Sequence, residues 1–152
     1  MFVLQVFLVA FMAGHAHVSN ICGKADDVPL CRSMVKGATD PVAATKASID
    51  QLITETKRAK EASVQLGKSS FMGACTQNFG DNILNLQEGL QALKSRDKGT
   101  LMSSLSAVVS LYSGCDDAIG EGGIVTQAAG IVSINSQLIH MASNCLYLAD
   151  LT

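Results

Sequence analysis

Residues 75–115, CTQNFGDNILNLQEGLQALKSRDKGTLMSSLSAVVSLYSGC, are the stretch on which the fold turns. Cys75, Phe79, Ile83, Leu86, Leu90 and Leu93 fall on one helical stripe, and Leu101, Leu105, Val108, Tyr112, Cys115 and the following Ile119 on a second. Between the stripes, Ser95-Arg96-Asp97-Lys98-Gly99-Thr100 is too polar to bury and has the length that joins two antiparallel helices. The pattern predicts a helical hairpin. Cys75 lies about 22 residues before the loop centre and Cys115 about 18 after it, so at 1.5 Å per residue their heights differ by roughly 6 Å. These two thiols can meet across the hairpin.

Outward from the hairpin, the periodicity continues. Asp40-Pro41 is a helix start, with Asp as N-cap and Pro at the first helical position, and predicts a helix over about 41–66 that stops before Gly67. Its apolar positions are Val42, Ile49, Leu52, Ile53, Ala59 and Val64, while Lys57, Arg58, Lys60 and Glu61 read as a solvated face. Ser69 or Ser70 caps the second helix, which runs to about residue 94, and the third covers about 98–119. Gly120-Glu121-Gly122-Gly123 then breaks the pattern, since each Gly in a helix interior costs ~1 kcal/mol relative to Ala. A fourth helix over about 124–150 carries the stripe Ile131, Ile134, Leu138, Met141, Cys145 and Leu148. Ahead of the bundle, Asp27 as a cap, Pro29 and Gly37 as a stop predict a short helix over about 28–36, with Cys22 just before it. No Val-rich run is bracketed by hairpin turns, so the expected fold is all-α: an up-down-up-down four-helix bundle with a short N-terminal helical segment.

The first residues differ in character. Phe2 to Met12 is an apolar run, and Gly14-His15-Ala16 places small residues at the positions a signal peptidase reads. Residues 1–16 are therefore expected to be a cleaved secretory signal, although no Lys or Arg precedes the run; the competing reading is a buried N-terminal helix of a cytosolic protein. A membrane anchor needs about 20 apolar residues, more than this run supplies. What remains, 17–152, is one domain with an N-terminal arm over 17–40 and a bundle over 41–151. Eleven basic and thirteen acidic residues are mixed along the chain without a basic run, which disfavours a nucleic-acid surface. Few aromatics and no Trp disfavour base- or sugar-stacking platforms.

Five cysteines in a secreted chain imply two disulfides and one remaining thiol. In the predicted bundle Cys145 and Cys75 lie about 24 Å apart along the helix axes, whereas bridging requires Cα atoms within about 7 Å. Cys145 therefore does not reach Cys75 or Cys115, but a bond to Cys22 or Cys31 stays open. A local Cys22 to Cys31 bridge, closing a ten-residue loop, is simpler. The chain-entropy relation credits it with roughly 2.7 kcal/mol, and it would staple a segment too short to hold its helix by propensity. Cys145 then remains as a free thiol on an apolar stripe, where a small-hydrophobe role outweighs a reactive one, with a weak homodimer through it left open.

Catalytic chemistry finds few parts. Of three His residues, His15 leaves with the signal and His17 becomes the first mature residue, so His140 alone stands within the fold. A lone His supports neither a metal site nor nucleophilic catalysis, and no catalytic residue, metal or cofactor is expected. Asp116, Asp117 and Glu121 oppose the dipole at the end of the third helix, either as a contact patch or as a solvated loop bonded to its own backbone. Arg96, Asp97 and Lys98 form a charged hairpin tip that could wedge against another protein.

Two cysteines with eight residues between them, then a bundle with one cysteine opening its second helix and another near the end of its third, resemble the plant invertase and pectin methylesterase inhibitor family. Phe79, Asp81 and Leu86 after Cys75, the Leu93 to Asp97 run, Cys115-Asp116-Asp117 and the closing Ser143-Asn144-Cys145-Leu146-Tyr147-Leu148-Ala149 carry the same similarity. The resemblance spans residues 19–151 and implies a secreted plant protein of the apoplast and cell wall that blocks another enzyme by binding it. It implies disulfides Cys22 to Cys31 and Cys75 to Cys115, and an N-terminal arm folded as a helical hairpin.

Neither subfamily's pattern is intact. Ala25 and Val28 stand where many members have Thr and Pro. On the second helix the acidic positions of methylesterase inhibitors hold Gln77, Asp81 and Leu84, and Gly114 replaces a Thr. Asp97 is followed by Lys98-Gly99-Thr100 rather than the Pro-Lys-Phe of invertase inhibitors, which tilts the expectation toward pectin methylesterase. The expected function is stoichiometric, non-covalent inhibition of that enzyme. Gln77, Asp81, Arg96, Asp97, Lys98, Asp116 and Asp117 are the candidate contacts. A cell-wall or vacuolar invertase is the alternative target, and a secreted signalling or structural bundle the alternative from another class.

Overall fold

The computed structural model describes residues 21–67 and 69–152. The expected signal over 1–16, and residues 17–20 of the expected N-terminal arm, lie outside the described residues. Five helices follow: α1 (Val28–Val35), α2 (Pro41–Gln65), α3 (Ser70–Lys94), α4 (Lys98–Glu121) and α5 (Ala129–Asp150). Four of them start where a short polar side chain takes up an otherwise orphaned N–H. Asp27 accepts from Leu30, Asp40 from Ala43, Ser69 from Met72 and Asp97 from Thr100, at 2.9–3.1 Å. α5 has no side-chain cap.

Each bundle helix packs on its neighbours in the chain, and α5 closes the ring against α2, so the architecture is the up-down-up-down bundle. α1 lies across α2 and α5. One end of the bundle therefore carries the N-terminal arm, the turn at 95–97 and the C-terminus, and the other carries the end of α2, the start of α3 and the loop at 122–128. A Cys22–Cys31 disulfide, with Cα atoms 5.8 Å apart, closes the N-terminal arm. Asn144 on α5 holds the arm by donating to the Asp27 carbonyl and accepting from its N–H, at 3.0 and 3.3 Å. The Tyr147 hydroxyl donates to the Ile21 carbonyl at 2.7 Å.

The packed faces differ from the apolar stripes in informative places. On α3 the buried line is Met72, Cys75, Phe79, Asn82, Leu86, Gly89 and Leu93, with Ile83 and Leu90 only half-buried. Asn82 is inside because its amide donates to the Val108 carbonyl at 3.0 Å, and Gly89 because it lets Leu101 and Ile49 approach. On α5, Ile134 is 39% exposed and Asn135 fully buried, a correction to the expected stripe. The Asn135 amide donates to the Tyr112 carbonyl and to Asp116 Oδ1, at 2.7 and 2.8 Å.

The glycine break also falls later than expected. α4 includes Gly120 and Glu121, and it is closed by Gly123 in the left-handed region at φ +63°. There the N–H groups of Gly123 and Ile124 donate back to Gly120 and Ile119, the Schellman pattern that satisfies the terminal carbonyls. Residues 124–128 are a turn, so the last helix begins at Ala129 rather than 124. Among the described residues no helix is long and apolar enough to cross a membrane.

Candidate partner-binding site

α3 and α4 are the most firmly joined pair in the bundle. The Cys75–Cys115 disulfide draws their Cα atoms to 4.5 Å. One turn along, Asn78 Nδ2 donates to the Leu111 carbonyl at 3.1 Å, and one turn further Asn82 donates to Val108. Gly114 leaves room for this ladder, because a Cβ there would sit 3.1 Å from Asn78 Nδ2. Behind it, Tyr112 meets Thr56 of α2 through their hydroxyls at 2.6 Å and faces Phe79 with ring centroids 6.3 Å apart. A surface built on this pair loses little further conformational freedom on binding.

Gln77 and Asp81 line a groove of about 870 Å³ between α2 and α3. Its floor is made shallow-sided by Gly73 and Gly80, and the Lys60 side chain lies over Gly80. Ser63 and Thr76 link the two helices beneath it at 2.8 Å. Val64 and Leu84, 59% and 65% exposed, stand at its sides. Sequence periodicity placed Val64 among the core positions of its helix. The signal for this groove was the pair of glycines seven residues apart beside Leu84, a leucine outside its helix's stripe.

The hairpin tip lies about 22 Å away, fifteen residues along α3 from Asp81. Arg96 sits in the left-handed region at φ +58°, terminating α3 in the position usually given to glycine. Asp97 caps α4; hydrogen bonds from the Thr100 hydroxyl and N–H hold its carboxyl below the usual range. Lys98 is tethered, since its Nζ donates to the Asp150 carbonyl at 2.6 Å and lies 3.5 Å from the Asp150 carboxylate. That contact places a cation at the C-terminus of α5, where the helix dipole favours it.

Asp116 faces α5 rather than α3 and receives the Asn135 amide, which offsets its opposition to the dipole, while Asp117 beside it is exposed. The candidate residues therefore occupy three places: the α2–α3 groove, the tip at one end, and the α4–α5 side near the other. They do not form one patch. Cys145 is fully buried, and burial pushes its thiol well above its ordinary pKa, so it stays protonated. His140 is exposed on α5, and among the described residues no three His, Cys, Asp or Glu side chains gather as a metal site.

The family described as plant invertase/pectin methylesterase inhibitor matches residues 16–148. No curated protein sequence matches the chain. Among solved structures, a mutant form of a pectin methylesterase inhibitor from Arabidopsis superposes with a TM-score of 0.74 at 16% identity, over 89% of this chain and 96% of that one. A pectin methylesterase inhibitor from Arabidopsis thaliana gives 0.66 at 16% identity, over 90% and 95%. At that identity the likeness is one of fold.

Proposed function

The chain belongs to the plant invertase/pectin methylesterase inhibitor family, and from that premise we propose that it is a secreted inhibitor of pectin methylesterase. It binds the enzyme stoichiometrically and without covalent chemistry, and blocks access of the substrate. In this reading residues 1–16 are removed on secretion, the arm over 17–40 and the bundle over 41–151 form the mature domain, and the protein acts in the apoplast.

The observation that supports it most is the α3–α4 hairpin. Its disulfide and asparagine ladder hold Gln77 and Asp81 on an open groove in fixed relation to the Arg96–Lys98 tip. A rigid pair of helices excludes substrate by occupying space, and needs no reactive group of its own. Asp81 and the exposed Leu84 supply one polar and one apolar anchor on the same helix.

The test is direct. The chain without residues 1–16, with both disulfides formed, is mixed with a plant pectin methylesterase and with a cell-wall invertase between about pH 4.5 and 7.5. Loss of methylesterase activity at a one-to-one ratio is expected, with Asp81→Lys weakening it at least tenfold. Loss of invertase activity alone transfers the proposal to the other target, and loss of neither refutes inhibition.

A further inference from the structure

Charge is divided unevenly around the bundle. α2 and α3 carry charged side chains along their length, from Lys46 to Lys94. α4 has no Asp, Glu, Lys or Arg between Lys98 and Asp116, and α5 has none before Asp150. These two helices are neighbours in the ring, so the outer side they share is free of charge except at its ends. It is also patterned. Met102 and Val109 on α4, and Val132, Ile139 and Leu146 on α5, recur every seven residues and are half-buried at the edge of the core. Ser106 and Ser113, and Ser136 and Ser143, each follow one of these by four residues and so lie on the same side of the helix. Alternate spacings of four and three are those of a packing seam, and on each helix this is a second one, beside the stripe already in the core.

Whatever covers such a face must bring no charge to bury, because an unpaired charge taken out of water costs several kcal/mol. The same face of a second copy meets that condition and has the matching helix spacing. The α2–α3 side of a second copy does not, since it would bring Lys57 and Asp81, which form no ion pair among the described residues. The ends of the face choose the orientation. Asp116, Asp117 and Glu121 gather at the end of α4 away from the tip, whereas the tip end carries both signs, with Lys98 beside Asp150. Two copies laid parallel set one acidic end against the other; turned antiparallel about a twofold axis, each acidic end meets the tip end of its partner. The charge-free part of α4 is about 25 Å long and two packed helices are about 20 Å across. That is about 500 Å² per copy and about 1,000 Å² in all, the lower limit of a specific interface.

We propose that the outer face of α4 and α5 is the interface of a weak antiparallel homodimer. In the ring of four helices this face lies opposite the α2–α3 seam, so the dimer leaves the Asp81 groove of both copies uncovered, on opposite sides of the assembly. No thiol takes part, because Cys145 is buried. The association stands whichever enzyme the protein inhibits.

Sedimentation equilibrium of the chain over 17–152, with both disulfides formed, is the test, run from about 10 μM to about 1 mM. A monomer–dimer equilibrium within that range is expected. Because the buried centre carries no charge, its constant should change less than about threefold between about 50 mM and 500 mM NaCl. Concentration-dependent amide shifts should centre on residues 106, 113, 136 and 143. Ser106→Glu and Ser136→Glu, each at an exposed position, should weaken dimerisation at least tenfold with near-UV circular dichroism unchanged. Gln87→Glu, the same change of charge on exposed α3 surface, should dimerise as the parent does. The proposal is overturned if the chain stays monomeric to about 1 mM, if both serine variants dimerise unchanged, or if Gln87→Glu weakens the dimer as much. It is overturned equally if the shifts centre on residues 21–35, which places the contact on the N-terminal arm, or if Cys145→Ala abolishes the dimer.

Discussion

The Tyr112 hydroxyl of α4 lies 2.6 Å from Thr56 Oγ1 of α2, and both residues are fully buried. Thr56 already donates to the Leu52 carbonyl at 2.6 Å, so its single proton is committed and the tyrosine is the donor in the pair. Burial holds the Tyr112 phenol well above its ordinary value near 10. A folded-state pKa raised in this way contributes stability that is present below about pH 10 and lost as the pH rises above it, because the unfolded chain releases the proton first. Tyr112→Phe should cost about 1 kcal/mol at neutral pH, and should flatten the loss of stability seen above pH 10 in urea titrations.

Asn135 binds two acceptors on α4, so a carboxylate in its place should be poorly tolerated. Asn135→Asp sets a second negative charge against Asp116 within the bundle and should destabilise by on the order of 3 kcal/mol at pH 7. Mutual repulsion raises the pKa of the new pair, so the penalty should shrink as the pH falls toward 4. Thermal unfolding at the two pH values checks this, and an equal penalty at both would show that the lost amide bonds dominate instead.

Gly122 lies under Phe71, at the far end of the bundle from the tip. A Cβ on Gly122 would stand 2.5 Å from Phe71 Cγ, which must turn about χ1 to make room, and 3.0 Å from its Cβ, which side-chain rotation does not move. Gly122→Ala should therefore cost about 1–3 kcal/mol. Phe71 is 37% exposed, so Phe71→Ala alone should cost less, and the double variant should recover most of the Gly122→Ala loss. A double-mutant cycle on chemical denaturation measures that coupling.

Arg96 holds a left-handed conformation that suits glycine better. Arg96→Gly should stabilise the fold by about 1 kcal/mol, read as a higher denaturant midpoint. If the tip touches the target enzyme, the same variant should inhibit more weakly while folding more stably. Those opposite signs separate a contact role from a structural one.

Removing the Cys75–Cys115 bridge should be the costliest single change among the cysteines. Its loop of about 41 residues is worth roughly 3.9 kcal/mol by the chain-entropy relation, against roughly 2.7 for the N-terminal bridge. Cys75→Ala with Cys115→Ala should lower the melting temperature more than the Cys22→Ala, Cys31→Ala pair, and Cys145→Ala should show only the cost of a small cavity.

Much of the scaffold was legible before any coordinates. The Asp-Pro start at 40–41, the polar hairpin at 95–100 and the two stripes that flank it each have a local cause, and local causes are written in short windows of sequence. The candidate site was less legible. Gln77, Asp81, Arg96, Lys98 and Asp116 are visible as charged or polar residues, but whether they share a surface depends on which way each helix turns. Lys98 shows the limit: nothing near it in the chain foretells a tether to Asp150, fifty-two residues away.

The sequence alone determined that four amphipathic helices joined by short loops would bury their stripes in one bundle, because period and caps act over a few residues. It did not determine the fine rotation of those helices. Adjacent positions on a helix differ by only about 100°, so the apolar Ile134 and the polar Asn135 both border the inward face. Tertiary structure turned Asn135 in, where the Tyr112 carbonyl and Asp116 receive its amide, and left Ile134 at the surface. A hydrogen bond to a neighbouring helix decided what hydrophobicity by itself would have reversed.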